Sequence, residues 1–333
     1  MTLDGMGPGF AVVQDEAAED ERQRDEHASV VMRDVASRRR PRGHVITFAN
    51  EKGGVGKSTL AFHCAVALAH LEMRVLVIDC DCRQRSLDRL LEARDATART
   101  LKIALPRPRH AVLENQSGAL LSQEIERAGA GSDFVLIDLA GHDSPTARRA
   151  VAMADTLVTP VNCSPTDLDA LGWLNPVSRR FRQAGPFTEV VAALRQERVD
   201  RGLAPFDWVV AKNRVRHCEH RMIAAVDHNL ATMARHIGFR TISGLSESIA
   251  YRELLAFGLT QFDLRLVPEV GAPRSAHLRE LRGLIEALRL PQPGRMVPPA
   301  RAPKADAPVL TQVAENYRKA LRDASPARIT APA

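Results

Sequence analysis

The segment "EKGGVGKST", residues 51–59, holds the residue types that bind phosphate. It follows an apolar run that ends near Ala49, and it precedes a helical pattern that begins near Ser58. Backbone N–H groups of such a loop can point at phosphate oxygens, and the helix N-terminus adds partial positive charge. We therefore expect Lys57 to contact the β and γ phosphates of ATP and the Ser58 hydroxyl to bind Mg²⁺. The expected nucleotide-binding residues of the loop are Gly53, Gly54, Val55, Gly56, Lys57, Ser58 and Thr59.

The same loop carries a second lysine, Lys52, five positions before Lys57. The ordinary pattern G-x-x-x-x-G-K-[ST] has glycine at the position where this chain has Glu51. One active site needs only one lysine in such a loop. The residues alone therefore make Lys52 a solvated loop residue.

Acidic residues end two of the apolar runs. "RVLVIDCD" ends with Asp79 and Asp81, which are two residues apart and lie on the same face of an extended chain. One carboxylate can anchor the loop or the Mg²⁺ shell while the other orients an attacking water; the alternative for an isolated pair is a strand-end cap. Asp138 ends "DFVLID", where an aspartate holds the Mg²⁺ shell beside a phosphate loop. The expected metal-binding residues are Ser58, Asp79 and Asp138.

Strand-length apolar runs alternate with helical patterns through the middle of the chain. Because the runs are continuous in Val, Ile and Leu, they indicate strands that are buried on both faces. The sequence therefore predicts an α/β fold with a doubly wound, mostly parallel sheet, in which ligands bind at the carboxyl ends of the strands. The predicted strands are "HVITFA", "RVLVID", "DFVLID", "DTLVTPV" and "DWVVAKN".

Composition divides the chain into three parts. Residues 1–42 lack a sustained apolar period and read as a disordered extension, acidic over residues 14–26 and basic at Arg38, Arg39, Arg40 and Arg42. Residues 43–290 form the predicted nucleotide-binding domain. Residues 291–333 are rich in Pro and Ala and read as a disordered tail with one short amphipathic stretch.

Cysteine usage and hydropathy indicate the cellular setting. The five cysteines stand singly or in the one C-x-C of Cys80 and Cys82, which lacks the second ligand pair of a metal site. No apolar run reaches the roughly 18 residues that span a bilayer. We expect a reduced, cytoplasmic protein without transmembrane association.

Basic residues favour a polyanionic partner. The formal net charge is +6, which favours contact with polyanions such as DNA. Several of these charges lie in or near a helix predicted from about Glu219 to His236, where they form either a DNA-contacting face or a solvated face. The candidate DNA-binding residues are Lys212, Arg214, Arg216, Arg221, Arg235 and Arg240.

The pattern K-G-G-x-G-K-[ST] resembles the deviant phosphate loop of the ParA/MinD superfamily of P-loop ATPases. Longer stretches from about His44 to Leu290, among them "VIDCDCRQRSLDRLLEAR" and "GFRTISGLSESIAYRELLAFGLTQFDL", resemble its MipZ family. The resemblance implies that Lys52 reaches the phosphates of the opposite subunit and that Asp81 positions the attacking water. It also implies that Asn213 meets the adenine base, and that Lys52, Lys57 and Asp81 are the catalytic residues.

The resemblance further implies a function in cell division. Members of the family are ATP-controlled homodimers that bind DNA non-specifically, are recruited by the ParB centromere-binding protein and inhibit polymerisation of FtsZ. The implied location is the cytoplasm, associated with the nucleoid. The implied cofactors are ATP and Mg²⁺.

One segment departs from the superfamily pattern D-[ST]-P-[GA]-G. In "DLAGHD", Leu139 replaces the hydroxyl residue, Ala140 the proline and His142 a glycine. Loss of that hydroxyl can slow hydrolysis, so a nucleotide-gated scaffold with negligible turnover is a second hypothesis. A ParA-type partitioning ATPase is a third. An iron–sulfur carrier of the same superfamily is disfavoured, because the chain has no C-x-x-C.

Overall fold

The computed structural model describes residues 26–291 except Gln116, His217 and Glu269. The described strands are β1 His44–Phe48, β2 Val75–Asp79, β3 Arg109–Val112, β4 Phe134–Asp138, β5 Thr156–Asn162, β6 Gly172–Leu174, β7 Phe181–Ala184, β8 Asp207–Asn213 and β9 Arg240–Ser243. The described helices are α1 Ala28–Ser37, α2 Lys57–His70, α3 Ser86–Leu101, α4 Gly118–Ala128, α5 Pro145–Met153, α6 Pro186–Asp200, α7 His220–Ile237, α8 Ile249–Leu255 and α9 Ser275–Leu288. Short 3₁₀ turns lie at Pro165–Asp167 and Asp263–Arg265.

Seven strands form one sheet in the order β3-β2-β4-β1-β5-β8-β9, and every neighbouring pair is parallel. The predicted doubly wound α/β fold is thereby confirmed. All five residues of β2 and all five of β4 are buried, as their continuous apolar runs predicted. The five predicted strands correspond to β1, β2, β4, β5 and β8.

Helices cover both faces of this sheet. Consecutive strand residues project to opposite sides, so Val45 packs with one apolar cluster and Ile46 with the other. The Val45 cluster contains residues of α1, α4, α5, α6 and α7, and the Ile46 cluster contains residues of α2, α3, α8 and α9. None of the described helices is long and apolar enough to cross a membrane.

Helix α1 corrects the prediction that residues 1–42 form a disordered extension. Val31 and Met32 are fully buried or nearly so, and Val35 packs against the same cluster. Arg149 of α5 donates hydrogen bonds to Asp34 and to Glu26, which ties α1 to the body of the protein. Apolar residues at positions 28, 31, 32 and 35 have helical spacing, and this short stripe is what the sequence analysis passed over. Residues 1–25 and 292–333 lie outside the described residues.

Strands β6 and β7 form a separate antiparallel hairpin between the 3₁₀ turn at residues 165–167 and α6. The sequence analysis did not predict it. The hairpin rests on α7, where the Phe181 ring stacks on His236 with 4.9 Å between ring centroids. It also continues directly from the segment that contacts the phosphate loop.

Candidate functional site

The predicted site residues meet at the carboxyl edge of the sheet because three neighbouring strands end at the same level. Phe48 of β1 pairs with Asp138 of β4, and Asp138 pairs in turn with Asp79 of β2. The loop of residues 49–56 leaves β1 at this edge and leads into α2. The phosphate loop and the acidic strand ends therefore lie side by side, as the topology predicts.

The loop backbone adopts conformations that require glycine. Gly54 and Gly56 have φ values of 75° and 90°, and Gly56 precedes α2 without a side-chain cap. A Cβ on Gly56 would overlap the Asn213 amide nitrogen, whereas a Cβ on Gly53 or Gly54 would meet nothing within 4 Å. The middle of the loop thus borders open space, and its N–H groups can donate hydrogen bonds to an anionic ligand there.

Lys57 is buried at the start of α2. Its Nζ donates a hydrogen bond to the backbone oxygen of Lys52 at 3.3 Å, so the side chain folds across the interior of the loop. Burial lowers the pKa of Lys57, against the opposing charges of Asp138 and Asp81. This position suits a lysine that contacts phosphates bound to its own loop.

Asp138 is a buried carboxyl beside Ser58. Burial raises the pKa of Asp138 to about 8, although a hydrogen bond from Ser58 and the charge of Lys57 act in the opposite direction. Its Oδ1 is buried and has no hydrogen-bond partner among the described residues. An unpartnered carboxylate oxygen next to a hydroxyl fits the oxygen donor set of Mg²⁺, which takes one or two protein ligands together with phosphate oxygens.

Asp79 and Asp81 have different surroundings. Both oxygens of Asp79 accept backbone N–H groups: Oδ1 from Asp81 at 2.9 Å, and Oδ2 from Leu87 at 3.0 Å and Asp88 at 3.1 Å. Asp79 therefore fixes the turn between β2 and α3. The Asp81 Oδ1 accepts the Gln84 N–H at 2.9 Å. Its Oδ2 accepts no hydrogen bond from the described residues and can contact a ligand or water.

Lys52 has different partners from Lys57. Its Nζ forms an ion pair with Asp167 in the 3₁₀ turn after β5, and the lysine side chain is 39% exposed. The backbone beneath it is held by Asn50, whose Oδ1 accepts the Lys52 N–H and whose Nδ2 donates to Pro160. Within this one chain, the Lys52 side chain is therefore engaged by the segment after β5.

Asp167 and Asn50 are site residues that the sequence analysis missed. Asp167 lies 115 positions from Lys52, and no motif links the two residues. Asn50 immediately precedes the segment "EKGGVGKST", and this adjacency is the signal that could have identified it.

Asn213 contacts the loop from the end of β8. Its Nδ2 donates to the Val55 oxygen at 2.9 Å, and its Oδ1 accepts the Leu245 N–H at 3.2 Å. Asn213 thereby positions the loop backbone. Arg214, expected to contact DNA, lies beside it: its Nε would be 3.9 Å from a Cβ on Gly56.

The structure does not bring the six candidate DNA-binding residues together on one face. Lys212 lies near the end of β8, at the carboxyl edge of the sheet, and pairs with Asp227 at 2.5 Å. Arg240 is the first residue of β9 and pairs with Asp207 at 2.6 Å. Arg216 pairs with Glu247 at 2.5 Å. Carboxylates thus neutralise three of the six, and Arg221 and Arg235 remain exposed on α7.

Comparisons with known proteins agree with this geometry. A family model described as ATPase MipZ matches residues 44–292, which include the loop, the acidic strand ends and Asn213. This chain belongs to the MipZ ATPase family. The matched region begins at β1, so α1 lies outside it.

Two curated relatives of this MipZ family member are similar over part of their length. The chromosome-partitioning ATPase Soj of Thermus thermophilus is 30% identical over 149 residues, which cover 39% of this chain and 59% of Soj. Protein ParA of Rhizobium radiobacter is 29% identical over 161 residues, which cover 45% of this chain and 67% of that protein. The chain thus spans about three fifths to two thirds of these relatives.

The solved structure of apo McdA from Cyanothece shows the same fold. It aligns with a TM-score of 0.51 at 19% identity and covers 74% of this chain and 99% of McdA. Sequence similarity therefore identifies the family, and the structural similarity to McdA shows the same fold.

Proposed function

We propose that this protein is an ATP-hydrolysing switch that dimerises on ATP and positions the cell-division plane. The observation that carries the proposal is the different placement of the two loop lysines. Lys57 is buried and its Nζ donates to the loop backbone at Lys52, whereas the partly exposed Lys52 side chain reaches Asp167 and the Thr166 oxygen in the 3₁₀ turn after β5. A second subunit placed against this edge would bring its own ATP to Lys52.

The residues around the loop divide the chemistry between them. ATP is the substrate that supplies the γ-phosphoryl group, and the loop N–H groups and Lys57 would hold its phosphates. Ser58 and Asp138 would hold Mg²⁺, which when bound would supply positive charge beside the phosphates. Asp81, whose carboxylate is only partly used, orients the attacking water. Asp79 keeps Asp81 in place through its backbone.

The partners follow from family membership and from charge. Non-specific DNA binding, recruitment by a ParB-like protein and inhibition of FtsZ polymerisation are proposed for this member as for its family. The net charge of +6 supports the DNA contact. The proposed location is the cytoplasm, on the nucleoid.

A second candidate is a nucleotide-gated scaffold with negligible hydrolysis. It is favoured by the segment that follows Asp138, where Leu139 is buried and its N–H donates to Phe48 at 3.1 Å. Leu139 therefore extends the pairing of β4 with β1 and offers no hydroxyl to the nucleotide. A ParA-type partitioning ATPase, as the chromosome-partitioning ATPase Soj is named, shares all of this chemistry.

Size-exclusion chromatography with light scattering tests the switch. We expect the parent chain to be a monomer in ADP and a dimer in ATP, and Lys52→Ala to stay monomeric in both. Lys102→Ala, which removes a lysine distant from the loop at the end of α3, serves as the matched control and should dimerise like the parent. A stable ATP-bound dimer of Lys52→Ala would falsify the role assigned to this lysine.

Two further assays separate the candidates. Steady-state phosphate release in the presence of DNA should exceed that of Asp81→Ala for the ATPase and equal it for the scaffold. Addition of the protein with ATP to purified FtsZ should shorten its filaments for a division regulator. Unchanged filaments would favour the partitioning function.

A further inference from the structure

The β6–β7 hairpin is a basic arm without acidic residues. Residues 172–184 read "GWLNPVSRRFRQA" and include three arginines, Arg179, Arg180 and Arg182, but no Asp or Glu. All three arginines are exposed, and across the described part of the chain none of their side chains has a hydrogen-bond or ion-pair partner. By contrast, Lys212 and Arg216 near the site already pair with carboxylates.

The tip of this hairpin is ordered by its own hydrogen bonds. The Asn175 side-chain oxygen accepts the N–H groups of Val177 at 3.0 Å and Ser178 at 2.8 Å, and the Asn175 N–H donates to Arg180 at 2.8 Å. Arg179 has a φ of 56°, a left-handed conformation that favours glycine. The chain therefore keeps an arginine at a turn position where glycine would be less strained.

Strand alternation directs the arginines outward. The Phe181 ring stacks on His236 of α7, so this side chain faces the body of the protein. Arg180 and Arg182 flank Phe181, and neighbouring residues of an extended chain project to opposite sides. Both guanidinium groups therefore point away from the protein. Arg235, next to His236 on α7, is also exposed and borders the same region.

We infer that the β6–β7 hairpin binds the phosphate backbone of duplex DNA without reading its sequence. Guanidinium groups pair with phosphate oxygens through two parallel hydrogen bonds, and a two-stranded ribbon is narrow enough to enter the major groove. The inference rests on the proposed function for the identity of the polyanion. It moves the main contact from the six predicted basic residues, three of which pair with carboxylates, to a hairpin that the sequence analysis did not consider.

The apolar content of the hairpin argues against an anionic membrane as the partner. Its large exposed apolar side chains are Trp173, 38% exposed, and Val177, 91% exposed. Interfacial membrane binding depends on a continuous apolar face as well as on positive charge. Two side chains next to three guanidinium groups supply little apolar area and much charge, a balance typical of phosphate-backbone contacts.

Fluorescence anisotropy with a labelled DNA duplex tests the inference on the full chain, with ATP and Mg²⁺ present. We expect the triple variant R179E/R180E/R182E to bind DNA at least about tenfold more weakly than the parent, because three phosphate contacts are lost. In the variant, the slope of log affinity against log salt concentration should fall by about 3. The charge-conserving variant R179K/R180K/R182K should retain most of the affinity.

The matched control reverses three exposed arginines on the other face of the sheet. R279E/R282E/R289E, on and just after α9, makes the same charge change and also includes an arginine with a left-handed backbone, Arg289. It should lower DNA affinity much less than the hairpin variant does. Equal losses in the two variants would show that net charge alone governs binding and would overturn the inference.

The remaining outcomes separate this inference from the proposed function. If the parent binds DNA and the hairpin variant binds equally well, the hairpin assignment fails and the proposed function stands. If the parent dimerises on ATP and hydrolyses it but binds no DNA, the DNA part of the proposed function fails. Co-sedimentation with phosphatidylglycerol vesicles that depends on the three arginines, without DNA binding, would replace DNA by a membrane and would also overturn the inference.

Discussion

The two ends of the phosphate loop lie in contrasting surroundings. Lys57, 8% exposed, opens a helix whose residues from Leu60 to Ala69 are all buried. Lys52, five residues earlier, has a side chain that is 39% exposed and is held by an ion pair with the buried Asp167 and a hydrogen bond to the Thr166 oxygen. The Lys57 end is fixed by packing within one helix, whereas the Lys52 side chain is fixed by polar contacts alone.

This difference separates two roles for the same residue type. A buried lysine can serve only a ligand that enters its own loop, because moving it would disrupt the packing of α2. A lysine whose side chain is partly exposed can exchange ion-pair partners at low cost, since a solvated charge gains only about 1 kcal/mol from such a pair. Substitutions at Lys57, Asp81, His63 and Asp167 should show whether the two ends of the loop differ in this way.

The largest effect is expected from Lys57→Ala. Loss of charge-assisted hydrogen bonds worth about 3 kcal/mol should weaken ATP binding at least about a hundredfold, as measured by isothermal titration calorimetry. Lys102→Ala is the matched control and should bind ATP like the parent. If Lys57→Ala retains ATP affinity within a few-fold of the parent, Lys57 does not contact the nucleotide.

The next largest effect is expected at Asp81, whose negative charge raises the pKa of Lys57 against the effect of burial. Asp81→Ala should reduce the rate of phosphate release by about a hundredfold or more while ATP binding and dimerisation persist, because the water loses its orienting carboxylate. Asp81→Asn keeps an acceptor for the Gln84 N–H and should show the same loss without a structural change. Turnover at the parent rate in both variants would reject this assignment.

A smaller effect should appear in the pH dependence of stability. His63 of α2 is fully buried between Phe62 and Tyr251, and burial lowers its pKa to about 4 from 6.5. Between these pH values the unfolded chain binds the proton more readily, so the free energy of unfolding falls as pH decreases. From pH 7.5 to pH 5 this one group should remove about 2 kcal/mol.

Urea unfolding at the two pH values measures this effect. His63→Gln keeps a donor for the Thr59 oxygen and titrates at neither pH, so its stability should fall about 2 kcal/mol less than that of the parent. Comparison with the variant cancels the contributions of carboxyl groups common to both proteins. Equal losses in parent and variant would mean that α2 opens to solvent and that the Lys57 end is not locked by packing.

The smallest effect is expected from Asp167→Asn. Removing the charge that holds Lys52 should strengthen ATP-dependent dimerisation by about two- to fivefold, since an ion pair with a partly exposed lysine contributes only about 1 kcal/mol. Sedimentation velocity in an Asp81→Ala background measures the dimer dissociation constant without turnover. Asp169→Asn, an exposed neighbour, is the control and should change nothing. A weaker dimer for Asp167→Asn would show that the pair supports the dimer instead of competing with it.

The sequence predicted the central fold well because its signals are local and strong. Continuous apolar runs gave five of the seven strands of the main sheet, and each predicted strand lies where the run placed it. The loop "EKGGVGKST" gave the start of α2 to within one residue. Weaker elements escaped: β3 and β9 have four residues each, and helix α1 has only a short apolar stripe beside charged residues.

The candidate site was predictable in part for the same reason. Lys57, Ser58 and Asp138 follow from spacing, because a loop between a strand and a helix fixes which side chains meet phosphate and metal. Asp79 was grouped with the metal ligands, and only the structure shows that both its oxygens cap backbone N–H groups. The number and positions of the arginines predicted a basic surface. They could not show which basic side chains pair with carboxylates in the folded chain.

By itself, the sequence determined the fold class, the phosphate loop and the family, since these depend on residue types at short, fixed spacings. The tertiary structure alone decided that Lys52 rests on Asp167, that α1 packs on α5, and that the hairpin arginines are unpaired in the described chain. These features join residues far apart in the sequence. Their geometry depends on how packed elements meet in space, which no local spacing encodes.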